Sequence, residues 1–303
     1  MRGRLVCDRR GIDVGQAVAA SSGNLLDAIV AASRRIVETR RASESAAALA
    51  NRAAQHRPRG VAFREALARE GQINVIAECK RRSPSRGVLR SDYRPGDIAR
   101  LYEEGGASAV SVLTEPTFFD GSLAHLEDVR AAVTLPVLRK DFIIDEYQLL
   151  EARAAGADAV LLIVAACLPS ELVVLVEAAR AMGLAALVEA HTADQIRQGV
   201  DAGATIIGVN SRNLRTLAVD LGACDALVGE IPSGCVAVAE SGIRSIEDVR
   251  HLHAIGYQAV LIGEWLMSAG DPRATLRTIA GIGVPATLER GDGAASANRR
   301  DRR

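Results

Sequence analysis

Lysine is almost missing from this chain. Of 37 basic residues only Lys80 and Lys140 are lysines, and every other one is arginine. Arginine stays protonated at any working pH, whereas an amine can be tuned to give and take a proton. The two amines are therefore candidates for proton transfer; the plainer alternative is a pair of ordinary ion-pairing lysines. Both follow short apolar runs, residues 73–77 before Lys80 and 135–138 before Lys140. Net charge is also lacking, because the 37 basic residues meet 37 acidic ones. That removes the electrostatic case for nucleic acid or an anionic membrane as partner. No apolar run approaches the roughly 18–20 residues of a membrane helix. Residues 1–23 carry arginines but no apolar core of the kind a secretion signal needs. Five scattered cysteines (Cys7, Cys79, Cys167, Cys224, Cys235) lack metal-ligand spacing. They read as reduced thiols of a cytoplasmic protein with no bound metal.

What is present is apolar material, 49% of 303 residues, enough for one large domain or two small ones. Four segments resemble one another. They are Gly105-Gly106-Ala107-Ser108-Ala109-Val110, Gly156-Ala157-Asp158-Ala159-Val160, Gly203-Ala204-Thr205-Ile206-Ile207 and Gly256-Tyr257-Gln258-Ala259-Val260. Each has a glycine suited to ending a helix, then a strand-like run. The spacing of about 50 residues is long for one βα unit and right for two. Four further runs lie between them, at 75–77, 136–138, 184–188 and 235–239, and helical stretches such as 171–182 and 245–253 separate most of the eight. Eight short apolar strands alternating with helices over about 210 residues predict an α/β protein, a closed (β/α)8 TIM barrel. The glycine-marked strands are the second, fourth, sixth and eighth. An open doubly wound sheet is the alternative, but no G-x-G-x-x-G follows the first strand.

Residues 25–54 read as one helix, with apolar residues at helical spacing and arginines outward, and 63–68 as a second short helix. Together they are expected to cover one barrel end. The expected organisation is a disordered extension over 1–22, an N-terminal helical segment over 23–70, the barrel over 71–284 and a disordered tail over 285–303.

Barrel enzymes take their reacting groups from the carboxyl ends of strands. Those ends offer Glu78 and Lys80, Lys140, Glu189, Asn210 and Arg212, Glu240 and Ser241, and Gly263. Each alone has a structural explanation: Glu78 and Lys80 as an ion pair, Glu189 as a partner of either lysine, Asn210 as a loop brace. Ser241-Gly242 and Gly263-Glu264 place glycine directly after the last two strands, where backbone N–H groups bind phosphate, with Arg82 as the cation.

These residues resemble the indole-3-glycerol phosphate synthase family over roughly 25–281. The most specific match is Ile76-Ala77-Glu78-Cys79-Lys80-Arg81-Arg82-Ser83-Pro84-Ser85. Others are Ser111-Val112-Leu113-Thr114-Glu115 with Phe119-Asp120-Gly121-Ser122, and Pro136-Val137-Leu138-Arg139-Lys140-Asp141-Phe142-Ile143. Leu187-Val188-Glu189, Gly208-Val209-Asn210-Ser211-Arg212-Asn213-Leu214, Glu240-Ser241-Gly242-Ile243 and Leu261-Ile262-Gly263-Glu264 complete the set. The resemblance implies a carboxy-lyase of tryptophan biosynthesis. Its substrate would be 1-(2-carboxyphenylamino)-1-deoxyribulose 5-phosphate, and it would use no cofactor. It implies Lys140 as general acid of ring closure, Lys80 as partner of the substrate carboxylate, Glu189 as base of dehydration, and Glu78 and Asn210 as orienting groups. Arg212 would bind the anthranilate part. Leu113, Phe119, Leu138 and Leu161 would form apolar walls, and Ser83 and Glu240 would support binding near the mouth. Arg82, Ser241, Gly242, Gly263 and Glu264 would hold the phosphate, the last two through backbone N–H groups. Cys79 and Trp265 depart from the usual pattern; Cys79 is expected to point away from the barrel axis and matter only for packing. The expected assembly is a monomer or weak homodimer. The rivals are a phosphate-binding aldolase that forms a Schiff base on either lysine and a non-catalytic barrel kept for binding.

Overall fold

The computed structural model describes residues 25–214 and 216–282. The extension and tail expected at 1–22 and 285–303, and Cys7, lie outside the described residues. Eight parallel strands close on themselves: β1 (Asn74–Cys79), β2 (Ala109–Leu113), β3 (Val137–Lys140), β4 (Ala159–Ile163), β5 (Ala185–Ala190), β6 (Ile206–Asn210), β7 (Val236–Glu240) and β8 (Ala259–Ile262). Each pairs with its sequence neighbour, and β1 closes the ring against β8, Asn74 opposite Ala259. The glycine-marked strands are the even-numbered ones. Gly106, Gly156, Gly203 and Gly256 take φ of 88–118°, the left-handed conformation that ends a helix and turns the chain into the sheet.

Helices follow the strands on the outside: α4 (Pro95–Glu104), α5 (Leu123–Ala132), α6 (Glu146–Ala154), α7 (Pro169–Ala181), α8 (Ala193–Asp201), α9 (Gly222–Leu227), α10 (Ile246–Ile255) and, after β8, α11 (Glu264–Ser268) and α12 (Pro272–Ala280). Two cores result from the strand's period of two. Outward side chains such as Cys79, Val112, Val137, Leu162 and Val209 pack against the helices. Inward ones such as Ile76, Leu138, Leu187, Ile206 and Val238 fill the barrel. Cys79 is thus a packing residue on the outer face, fully buried.

Among the described residues the N-terminal segment is three helices rather than two, α1 (Leu25–Ser43), α2 (Ala46–Ala53) and α3 (Gly60–Leu67). The single helix expected over 25–54 breaks at Ser45. That residue is extended, and its hydroxyl accepts a hydrogen bond from the Ala48 N–H, so it starts a new helix instead of continuing the old one. Nor do these helices cover one end together. Phe63 and Leu67 of α3 are fully buried in the interior cluster, and the Leu67 carbonyl accepts from the Asn74 amide at the start of β1. So α3 plugs the amino-terminal end. By contrast α1 packs on α6 and on the 3-10 turn Val164–Ala166 that follows the carboxyl end of β4, and α2 packs along α6. Arg40 near the end of α1 donates from Nη1 to both oxygens of Glu151, each at 3.1 Å.

Candidate active site

The period that sends Ile76, Leu138, Leu187 and Val238 inward sends Glu78, Lys140, Glu189 and Glu240 inward one layer higher, and on β6 it sends Asn210 inward two layers above Ile206, with Gly208 between them. Register aligns them: Glu189 is level with Gly208, and Asn210 is level with Glu240. The result is a cavity of about 280 Å³ at the carboxyl end of the barrel. One side is charged and the other apolar, lined by Leu113, Phe119, Phe142, Leu161, Ile163 and Leu214. The Phe119 and Phe142 rings lie 6.2 Å apart. Phe119 is held from below by buried Glu115, whose carboxylate accepts the N–H groups of Thr117, Phe118 and Phe119.

Each lysine has its own acid partners. Lys80 Nζ is 2.7 Å from Glu78 Oε1. Lys140 Nζ donates to Glu240 Oε2 at 2.9 Å and to Glu189 Oε2 at 3.3 Å. Burial works against the Lys140 charge, but Glu240, Glu189 and Glu78 outweigh it and hold the amine's pKa above its usual value. The two carboxylates around it part company. Burial, followed by the neighbouring Glu189 and Glu78 charges, pushes Glu240 up to about 7 against the pull of Lys140. Glu189 is equally desolvated, yet Lys140 and His191 together with hydrogen bonds from Asn210 and Lys140 bring it below the usual carboxylate range. Two carboxylates whose affinities diverge in one cavity suit one proton-holding and one proton-accepting role.

Two glycines make room for these acids. A Cβ on Gly208 would fall 2.1 Å from Glu240 Oε1, and one on Gly263 would fall 2.2 Å from Glu78 Oε1. Any larger residue would displace a carboxylate from its lysine. Glu240 Oε1 and Glu189 Oε1 are both buried without a hydrogen-bond partner.

At the opposite rim Ser241 and Gly242 both have positive φ, 67° and 78°. A serine there is strained, and such strain is held in place at functional turns. Arg212 Nη2 lies 3.2 Å from Glu264 Oε1, and Arg86 Nε lies 3.4 Å from Glu264 Oε2.

The indole-3-glycerol phosphate synthase family model matches residues 26–279. The chain belongs to the indole-3-glycerol phosphate synthase family. A relative from Streptomyces coelicolor, indole-3-glycerol phosphate synthase 2, is 49% identical over 257 residues, covering 85% of this chain and 99% of that one. An indole-3-glycerol phosphate synthase from Arthrobacter is 48% identical, over 88% and 99%, and one from Mycobacteroides abscessus 45%, over 87% and 96%. Among solved structures, thiamine phosphate pyrophosphorylase of Pyrococcus furiosus shares the fold. Its TM-score is 0.53 at 18% identity, over 68% of this chain and 93% of that one.

Set beside the family expectation, most of the named residues converge. Glu78, Lys80, Leu113, Phe119, Lys140, Leu161, Glu189, Asn210, Arg212, Glu240, Ser241, Gly242, Gly263 and Glu264 all line the cavity. Three do not. Leu138 is fully buried one layer below, under Lys140. Ser83 is buried, with its hydroxyl 3.4 Å from that of Ser85. Arg82 is exposed and away from the wall, where Arg86 stands instead. Residues 82–83 and 87–88 pair antiparallel, and the tight turn between them brings Arg86 back over the mouth. Pro84 and Gly87 are turn residues, and that signal could have placed Arg86. Glu264 offers the cavity a carboxylate as well as a backbone N–H. Trp265, Asp141 and Phe142 also line it.

Proposed function

We propose that this barrel converts 1-(2-carboxyphenylamino)-1-deoxyribulose 5-phosphate into indole-3-glycerol phosphate, carbon dioxide and water. The observation that carries the reading is Lys140, an amine kept charged between two buried carboxylates and facing an apolar wall. The aromatic ring lies against Phe119, Leu113 and Leu161. The ring carbon bearing the carboxylate attacks the ketone, and Lys140 protonates the ketone oxygen as the bond forms. Lys80 faces the substrate carboxylate until it leaves as carbon dioxide, which restores aromaticity. The new hydroxyl then departs with a proton from Lys80, and Glu189 takes the proton released from the ring-forming side chain. Glu78 and Glu240 hold the two amines in place between steps. Asn210 and Arg212 position the substrate amine and ring, and the Ser241-Gly242 and Gly263-Glu264 backbones receive the phosphate.

The Schiff-base alternative gives no task to Glu189, Asn210 and Arg212 as a set. The test is a fluorescence assay for indole product with purified, folded protein. Product formation supports the reading. No product, together with a borohydride-trapped carbonyl adduct on either lysine, would replace it with the aldolase. The proposal includes a cytoplasmic monomer or weak homodimer, with the barrel over residues 71–284 as the catalytic unit and 23–70 as its helical cover. Among the described residues no helix is long and apolar enough to cross a membrane.

A further inference from the structure

Lys140 stands at the weakest place in the barrel wall. On one side β3 keeps register with β2 through four residue pairs, up to Leu113 opposite Lys140, and the Thr114 N–H donates to the Lys140 carbonyl at 3.1 Å. On the other side the ladder to β4 holds only Leu138 and Arg139 and stops one residue short of Lys140. Backbone pairing therefore fixes the lysine from one flank only.

A side-chain network occupies the outer face of the same strand end. Arg139 points away from the axis and is fully buried. Its Nε donates to Thr114 Oγ1 at 3.1 Å and its Nη1 to the Gln148 carbonyl at 2.7 Å. Its Nη2 serves both Asp141 Oδ2, at 2.9 Å, and Glu151 Oε2, at 3.1 Å. Thr114 Oγ1 in turn donates to Asp141 Oδ2 at 2.6 Å. Asp141 Oδ1 accepts the Phe142 N–H, and Gln148 Nε2 donates to the Phe142 carbonyl. Both neighbours of Lys140 in sequence are thus tied to Thr114, just past β2, and Arg139 also to α6, and the two positive groups (Arg40, Arg139) balance two negative ones (Asp141, Glu151). A buried arginine that uses its fork on four partners has little rotational freedom. Replacing such a network by apolar residues is often neutral or stabilising, so fold stability alone does not account for it.

We infer that Arg139, with Thr114 and Asp141, is a positioning unit for Lys140, supplying on the outer face of β3 the rigidity that the missing ladder to β4 does not. This rests on the assignment of Lys140 as proton donor. The chain's scarcity of lysine provides the probe. With side-chain 15N-lysine labelling, only Lys80 and Lys140 give amine signals. Thr114→Val keeps the shape and removes the hydroxyl that accepts from Arg139 Nε and donates to Asp141 Oδ2.

The expected result is a kcat lower by about tenfold, since small displacements of a reacting group cost that much or more. KM should stay within about twofold. The Lys140 resonance should move and the Lys80 resonance stay. In a Lys140→Arg background the same change should leave the residual rate unaltered, because its effect runs through the amine. An unmoved Lys140 resonance with normal kcat overturns the inference, and so does an equal loss of rate in both backgrounds. If Thr114→Val does not fold, Thr114→Ala, which also removes the hydroxyl, is read in the same way. A wild-type chain that forms no indole product would sink the functional reading; the Lys140 resonance would still decide the positioning claim.

Discussion

The lower and upper halves of the barrel interior are built from the same alternating strand positions and do opposite things. Below, Ile76, Leu138, Leu187, Ile206 and Val238 meet Phe63 and Leu67 of the α3 plug in an apolar cluster. Higher up, on the same strands, stand Glu78, Lys140, Glu189, Asn210 and Glu240. The lower half gains stability from every apolar group it buries, at about 25 cal/mol per Å². The upper half desolvates three carboxylates and an amine, which costs several kcal/mol per ion before pairing offsets it. Nothing in folding calls for that arrangement, and the chemistry of the mouth does. The two halves should therefore answer to mutation in different currencies, rate above and stability below.

The largest separation is expected from Glu189→Gln. Loss of a positioned base should lower kcat by a factor of about a hundred to ten thousand. Lys140 keeps Glu240 as a partner at 2.9 Å, so denaturant unfolding should show a change below about 2 kcal/mol. Leu187→Ala, two residues earlier on β5, is the mirror experiment. It should destabilise the fold by about 2–5 kcal/mol, with kcat per folded molecule nearly unchanged. If Leu187→Ala lost rate and kept stability, the division into two layers would be wrong.

Smaller effects sharpen the upper layer. Burial and its acidic neighbours raise Glu240 to about 7. As pH falls through that value Glu240 gains a proton, and Lys140 loses its shorter ion pair. The rate profile of kcat/KM should then have an acid limb near 7 that Glu240→Gln removes, whereas Glu189, lowered, stays ionised across the same window. A limb unchanged in the Gln variant would assign it to another group. Last, Arg86→Ala should raise KM for the phosphorylated substrate by about threefold, a modest effect because its Glu264 pair is half exposed. Arg82→Lys should leave KM close to wild type. A reversed order would return the phosphate-side cation to Arg82.

Much of this was legible in the residues. Left-handed glycines at regular intervals mark four strands, and strand ends followed by polar residues mark the mouth. What was not legible depends on groups far apart in sequence. Glu240 read as a supporting residue because its weight comes from Gly208 on the neighbouring strand, which leaves the carboxylate just enough space, and from Lys140 a hundred positions away. Arg139 read as part of a motif, since a buried outward arginine looks like any other until Thr114, Asp141 and Glu151 are seen around it. Arg86 was hidden by a two-residue hairpin too short to show a period. The break at Ser45 is local, but a continuous apolar spacing masked a serine well suited to cap a new helix.

The account stands on Lys140 as the amine that gives up a proton. Lys140→Arg keeps the positive charge between Glu189 and Glu240 and replaces an amine with a guanidinium that does not give up its proton. Indole product formation, followed by fluorescence in single turnover with the folded fraction checked by circular dichroism, should fall by a factor of about a hundred or more. The variant should unfold at the same denaturant concentration as the wild type. Turnover within a few-fold of wild type would contradict the account, because charge alone would then be enough.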